Sequence, residues 1–328
     1  GYVIETIFKG APITREGFGS MKTKTELKLK KLDNRAHVLI VGLGLIGGSY
    51  AKALSKRGFA VNAITAQQAD IDYAVKEGFL REGSVQVSEQ MLAWADLVVL
   101  ALYPHTLIDW VEQYGQLLTP GTLVTDVTGI KGSIVDRVQD LMPDGVEFIA
   151  AHPMAGREKS GVANSDDRVF HGANYIVVPT ARNTPDAISV CVQLGEALGF
   201  HRISRLSAEE HDRMIAFLSQ LTHCIAVSLM CANEQPGMEV YTGDSFRDLT
   251  RIARINDEMW SELFLWNREA LLEEMDRFSA AFAHLRKALE DGDRDEMRRM
   301  MRLSGERREK FDKPTVETIV NENDDAKE

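Results

Sequence analysis

The sequence predicts an α/β protein, with an N-terminal Rossmann-type, doubly wound parallel sheet followed by an all-helical domain. Three observations predict it. Short apolar runs bounded by turn residues alternate with helical patterns. The loop Gly42-Leu-Gly44-Leu-Ile-Gly47 joins the first such run to a helix. Strand signals stop after about residue 205, where long helical patterns take over.

His37–Val41 reads as a buried parallel strand. Residues 47–57 carry a helical pattern with Gly58 placed to end it. Ala60–Ile64 is the next strand, and Asp70–Glu77 a helix closed by Gly78. Asp96–Leu102, Thr122–Val127, Glu147–Ala151 and Asn174–Pro179 complete the strand series. Such alternation builds βαβ units. Beyond it, Ser207–Asn233 reads as one long helix, with Ser207 and Glu210 spaced as a capping box. Asn256–Glu290 and Asp293–Phe311 read as two more helices, followed by Pro314. The expected organisation is an extension over 1–35, a dinucleotide-binding domain on the glycine loop over 36–205, a helical domain over 206–313, and a polar tail over 314–328. Residues 1–20, ending Gly-Phe-Gly-Ser, look foreign to the fold. They are expected to be a fusion remnant ahead of a native start at Met21.

The chain has 328 residues, of which 44% are hydrophobic, enough for a core of two domains. Its net charge of -11 repels nucleic-acid phosphates and anionic membrane surfaces, so neither partner is expected. No uninterrupted apolar run approaches the length of a membrane span. The three cysteines, Cys191, Cys224 and Cys231, are odd in number and lack metal-ligand spacing. They suit a reducing cytoplasm, and no metal is expected.

In a strand–loop–helix setting the glycine motif is a dinucleotide fingerprint. Gly42 permits the tight turn, Gly44 the approach of the pyrophosphate, and Gly47 the close packing of helix on strand. The helix N-terminus offers unpaired N–H groups to the phosphates. Gly42, Gly44, Leu45, Ile46 and Gly47 are therefore the expected cofactor contacts. Thr65 stands where an NAD-binding domain usually has a carboxylate on the ribose 2′-hydroxyl. No carboxylate repels a 2′-phosphate there and no arginine grips one, so NAD is only slightly favoured over NADP. Thr65 reads equally as the end of a strand.

A second constellation lies at 152–161, His-Pro-Met-Ala-Gly-Arg-Glu-Lys-Ser-Gly, just past a buried strand. Open α/β sheets keep their ligands at that end. Histidine is suited to proton transfer near neutral pH, although a turn-capping histidine would look the same. Arg251 reads by itself as a surface arginine paired with Asp248, and His223 as a core histidine.

Together these segments resemble the prephenate and arogenate dehydrogenases. The resemblance includes VGLGLIGGS, TDVTGIKG at 125–132, HPMAGREKSG at 152–161, FLSQLTH at 217–223, SFRDLTRIA at 245–253 and the Met259-Trp260 pair, and it spans roughly 36–312. It implies an NAD(P)-dependent oxidative decarboxylation in tyrosine biosynthesis, giving 4-hydroxyphenylpyruvate from prephenate or tyrosine from arogenate. It implies His152 as catalytic base and Arg251 as the holder of a substrate carboxylate. It places His223, Ser219, Glu158, Arg157 and Trp260 around the substrate. It also implies a homodimer formed through the helical domain.

The chain departs from the family where a serine usually contacts the catalytic histidine. Gly129 stands there, with a hydroxyl one residue earlier at Thr128, so either Thr128 or a water takes that part. Gln220 replaces a histidine of some members, and Arg157 a threonine or serine, adding charge for the side-chain carboxylate. Neither a chorismate mutase domain nor a regulatory amino-acid-binding domain is expected. Related hydroxyacid and imine dehydrogenases use a helical lysine as acid or base, but no lysine lies between Lys159 and Lys287. A dinucleotide-sensing protein without turnover is the alternative from another class; it would not need His152, Arg251 and His223.

Overall fold

A computed structural model of the chain describes residues 26–156 and 159–312. The expectations for residues 1–20 and Met21, for the tail after 313, and for Arg157 and Glu158 lie outside the described residues. The chain divides into two compact units after Leu271.

The first unit is built on an eight-stranded sheet. Its elements begin with β1 (His37–Val41), α1 (Leu45–Lys56), β2 (Ala60–Ile64), α2 (Gln68–Lys76), β3 (Glu82–Ser84), α3 (Glu89–Trp94) and β4 (Leu97–Leu100). They continue with α4 (Pro104–Tyr114), β5 (Leu123–Asp126), α5 (Val135–Leu141), β6 (Glu147–Met154), β7 (Asn174–Val178), α6 (Pro185–Leu198) and β8 (Arg202–Arg205). The strand order is β3-β2-β1-β4-β5-β6-β7-β8. The order reverses between β1 and β4, and at such a switch point the strand ends open a ligand crevice.

Period-two alternation sends successive residues to opposite faces. Val38 and Ile40 of β1 join Tyr50 and Leu54 of α1 and Leu194 of α6 in one core. Leu39 and Val41 join Leu107 and Trp110 of α4 and Val138 of α5 in the other. Helices on both faces explain why the strands read as unbroken apolar runs.

The sheet departs from the expected all-parallel form at β6 and β7, which pair antiparallel, His152 opposite Ile176. The cause is the connection between them. Among its described residues it contains the short 3₁₀ turns Val162–Asn164 and Asp167–Phe170 and no α-helix. A parallel return is usually made through a helix. α6 supplies one for β7 and β8, which pair parallel.

The helical part begins with α7 (Ala208–Ile215), a π-turn (Ala216–Leu221) and α8 (Thr222–Cys231), which run on as one helix. The capping box forms as expected: Ser207 Oγ accepts from Glu210 N, and Glu210 Oε2 accepts from Ser207 N. By length and composition alone this helix could cross a membrane, contrary to the reading from uninterrupted runs, because an average over the segment tolerates scattered polar residues. Two of those polar residues, His211 and Gln220, are buried and hydrogen-bonded to side-chain or backbone partners elsewhere in the unit.

α9 (Asp244–Thr250), α10 (Asp257–Trp266) and α11 (Arg268–Glu290) follow. The expected single helix over 256–290 is thus broken at Asn267. Its buried amide donates to Asp212 O at 2.9 Å and Gln220 Oε1 at 2.7 Å. These tertiary bonds hold a kink that helical periodicity does not reveal. In the second unit, the rest of α11 and α12 (Arg294–Glu309) are tied by His284 Nε2 and Glu296 Oε1, 2.6 Å apart.

Candidate active site

The carboxyl end of β1 turns at Gly42 with φ +95°, a conformation that glycine adopts without penalty. Gly42 N donates to Ile64 O at 2.8 Å, which pins the loop against β2. A Cβ on Gly42 would collide with Ala101 O, and one on Gly47 with Gly42 O. Both positions are closed to any side chain. Gly44 differs: a Cβ there meets nothing within 4 Å. The folded chain leaves the space in front of it open, and the N-terminus of α1 starts beside it at Leu45, Ile46 and Gly47. The backbone thus fits a pyrophosphate cradle. Thr65 Oγ1 accepts from Leu43 N at 3.2 Å, so the threonine braces the glycine loop itself.

His152 sits two residues before the end of β6, partly exposed. Its Nδ1 lies 2.8 Å from Nε2 of His211 on α7. His211 is fully buried, and its Nδ1 lies 2.8 Å from Asp212 Oδ1. Asp212 also accepts the backbone N–H groups of Lys131 at 2.8 Å and Gly132 at 2.7 Å, which fastens α7 to the turn after β5. The opposite edge of His152 faces that turn. A Cβ on Gly129 would lie 3.7 Å from His152 Nε2 and from Leu263 Cδ2, so the ring nitrogen faces the bare backbone of the glycine.

Burial holds the His152 imidazole well below its ordinary pKa, and repulsion from positive charge at His211 and Lys131 acts the same way. His152 is therefore neutral near pH 7 and able to accept a proton. Burial also lowers His211, against the opposing hydrogen bond from Asp212. Lys131 and Asp126 form an ion pair of 2.7 Å with neither side chain exposed. Burial pushes the Lys131 ammonium down, and the Asp126 carboxylate opposes that shift.

Thr128 does not take the place of the missing serine. Its hydroxyl lies 2.5 Å from Asp126 Oδ2 and 2.9 Å from Ile130 O, and it accepts from Lys131 Nζ at 3.1 Å. The tight turn points the hydroxyl into the Asp126–Lys131 pair, so its hydrogen-bonding capacity is used there.

His223, on α8, stacks on Trp260 of α10 with ring centroids 3.7 Å apart. Its Nδ1 donates to Ser219 O at 2.7 Å, so Ser219 engages the histidine through its carbonyl. The π-turn matters here. His211 and His223 would lie about 120° apart around an ideal α-helix. Absorbing one extra residue reduces that to about 20°, which brings both histidines to one side. α8 packs against the 3₁₀ turn Arg251–Ala253, where Arg251 is exposed. Gln220 is buried and structural, with Nε2 on Leu263 O and Oε1 on Asn267.

The structure therefore brings His152 together with the turn after β5, and His223 together with Ser219, Trp260 and the Arg251 turn. Sequence reasoning missed His211 and Asp212. The available signal was a histidine on the apolar side of a helix, four residues before Ile215.

Comparisons with known proteins match two family models. Residues 50–203 match the model of the prephenate dehydrogenase nucleotide-binding domain, and 207–303 that of the prephenate dehydrogenase dimerization domain. The prephenate dehydrogenase of Bacillus subtilis is 28% identical over 279 residues, 83% of this chain and 75% of that protein. The crystal structure of prephenate dehydrogenase from A. aeolicus, in complex with hydroxyphenyl propionate and NAD+, aligns with a TM-score of 0.77 at 28% identity. It covers 84% of this chain and 98% of that one. Synechocystis arogenate dehydrogenase aligns with a TM-score of 0.73 at 25% identity, over 84% of this chain and 100% of that one.

Proposed function

The chain belongs to the prephenate dehydrogenase family, and from that premise we propose that it oxidises and decarboxylates prephenate to 4-hydroxyphenylpyruvate, a step of tyrosine biosynthesis. The observation that carries the reading is His152: an imidazole with Nδ1 engaged by His211 and Nε2 facing Gly129, on the same sheet as the glycine cradle. A sensor without turnover needs no such base.

Held on the Gly42–Gly47 cradle, an oxidised nicotinamide would supply the hydride acceptor for the ring carbon that bears the hydroxyl. His152 Nε2 takes the hydroxyl proton as that carbon becomes a carbonyl. The ring carboxylate then leaves as CO₂, its bonding pair closes the aromatic ring, and the phenolate oxygen takes the proton back from His152. The proton that His152 takes up is the one it returns, so the base needs no proton path to solvent.

Arg251 holds a substrate carboxylate through its guanidinium fork. His223 and Trp260 form one wall of the substrate site, with Ser219 fixing the His223 ring. Arg157 and Glu158 complete the substrate contacts. Gly42, Gly44, Leu45, Ile46 and Gly47 hold the pyrophosphate, and Thr65 supports their loop. NAD is favoured over NADP because residues 65–72 contain no lysine or arginine to balance a 2′-phosphate.

The domain division proposed is 36–205 for the cofactor and 206–313 for substrate and dimerisation. Homodimerisation is supported by large apolar side chains left exposed in each unit: Phe217, Leu218 and Met230 in the first, Phe278, Phe282 and Met301 in the second. A scattering mass of two chains is expected, and a mass of one would refute it. Cytoplasmic residence is supported by three free cysteines. Arogenate, with an ammonium in place of the side-chain ketone, is the second reading, supported by the Synechocystis relative. Assaying both substrates with both cofactors tests the proposal: turnover of prephenate with NAD+ is expected to lead, and no turnover in any of the four combinations would overturn it.

A further inference from the structure

We propose that His211 and Asp212 act as a two-link positioning relay that fixes the tautomer of His152 and directs its basic Nε2 at the substrate. This rests on the reading of His152 as the base.

The assignment follows from donor and acceptor bookkeeping along three groups. Asp212 Oδ1 receives Lys131 N and Oδ2 receives Gly132 N, so the carboxylate is held as an acceptor from two sides. Its Oδ1 can therefore only accept from His211 Nδ1, 2.8 Å away. A neutral His211 that carries its proton on Nδ1 has a lone pair on Nε2. That lone pair faces His152 Nδ1 at 2.8 Å, so His152 must donate there. A neutral His152 that carries its proton on Nδ1 is left with the lone pair on Nε2, the edge that faces Gly129. The carboxylate thus sets a proton position two rings away. The imidazolium formed during the reaction keeps its Nδ1–H bond to His211, which in turn leans on Asp212, so the new charge is stabilised without a direct carboxylate contact. The other charged groups against the relay, among the described residues, are Lys131 and Asp126, which are buried as a pair with each other.

The chain's own architecture explains why the relay needs two histidines. β6 presents His152 from the sheet, whereas Asp212 belongs to α7 and is bound to the turn after β5. His211 spans the gap. A family-type serine at position 129 would approach His152 from the other edge; here that edge is left to the substrate.

Two substitutions at His211 separate positioning from packing. His211→Leu removes the acceptor. It is expected to lower kcat about tenfold to a hundredfold with little change in KM. His211→Gln carries an amide oxygen and an amide nitrogen spaced much like the two ring nitrogens, so it is expected to recover most of that loss. The direct readout is imidazole 15N NMR of histidine-labelled protein. In the unsubstituted enzyme, His152 should show a protonated Nδ1 and an unprotonated Nε2. In His211→Leu it should show a mixture of tautomers. A His152 protonated on Nε2 in the unsubstituted enzyme overturns the relay, as does a His211→Leu enzyme with unchanged kcat and tautomer. If His211→Leu fails to fold, the tautomer of the unsubstituted protein and the turnover of His211→Gln still decide. His152→Asn distinguishes the two layers: if it keeps full turnover the base reading itself fails, whereas its inactivity beside an unaffected His211→Leu sinks only the relay.

Discussion

Glu262 of α10 receives two hydrogen bonds from His105 at the first turn of α4, one from the backbone N–H and one from ring Nδ1, each at 2.6 Å. A carboxylate from a residue 157 positions away thus satisfies an orphan donor and meets the positive end of a helix. Nearby, Asn256 Nδ2 reaches Tyr103 OH at 3.3 Å. α10, which carries Trp260, is therefore anchored to the loop that leaves β4. Glu262→Ala is expected to destabilise the fold by about 1–2 kcal/mol. Thermal unfolding should show a fall of about 2–6 °C for a chain of this size. An unchanged midpoint would mean the anchor contributes nothing.

The protonation of His152 makes a signed pH prediction. Its folded pKa is lowered well below 6.5 by burial, so the acidic limb of kcat/KM should lie well below pH 6.5. A limb at or above 6.5 would show that another group controls it. The same shift acts on stability. Between the folded value and 6.5 the unfolded chain binds more protons at this site, so stability falls as pH falls through that window. His211, also lowered, acts in the same direction. Denaturant midpoints measured from pH 7.5 downward should therefore decrease.

Gly44 and Gly47 should respond differently to alanine. At Gly44 the space is open and the backbone extended, so Gly44→Ala should cost no more than about 1 kcal/mol in stability, the usual difference between glycine and alanine as a helix N-cap. The methyl group nevertheless occupies the approach of the pyrophosphate, and cofactor affinity should drop about tenfold or more. Gly47→Ala drives a methyl into Gly42 O and should lower stability as well as binding. Isothermal titration beside thermal melts separates them; normal cofactor affinity in Gly44→Ala would end the assignment.

Thr128→Val tests the corrected role of that hydroxyl. Its bonds lie within a buried ion-pair cluster, so the loss should appear as about 1–3 kcal/mol of stability. The residual KM should change little. A large kcat loss at full stability would restore a direct catalytic part.

Arg251→Gln should raise KM for the substrate about tenfold to a hundredfold while cofactor binding stays level. An unchanged KM would remove Arg251 from the substrate site.

The sequence by itself determined the elements whose cause is local. Unbroken apolar runs made β1, β4, β5 and β6 strands, because a sheet covered on both faces demands them. The glycine loop was legible because Gly42 and Gly47 are each excluded from bearing a side chain by neighbouring backbone. Ser207 and Glu210 announced their helix through a cap that closes within four residues. His152, Arg251 and His223 stood out only through motifs, since a lone polar residue has the same local signature in a core as in a site.

Tertiary structure decided the rest, because its causes are distant in the chain. β7 runs antiparallel for want of a crossover helix. Asn267 breaks a periodic helix because Asp212 and Gln220 bind its amide. Thr128 looked like a substitute for a missing hydroxyl until the turn aimed it at Asp126 and Lys131. His211 and Asp212 lie 59 and 60 positions beyond His152, and no periodicity links them to it. A hydrogen bond of 2.8 Å between two side chains is a property of the packed fold, and only the fold could show which nitrogen of His152 is turned outward.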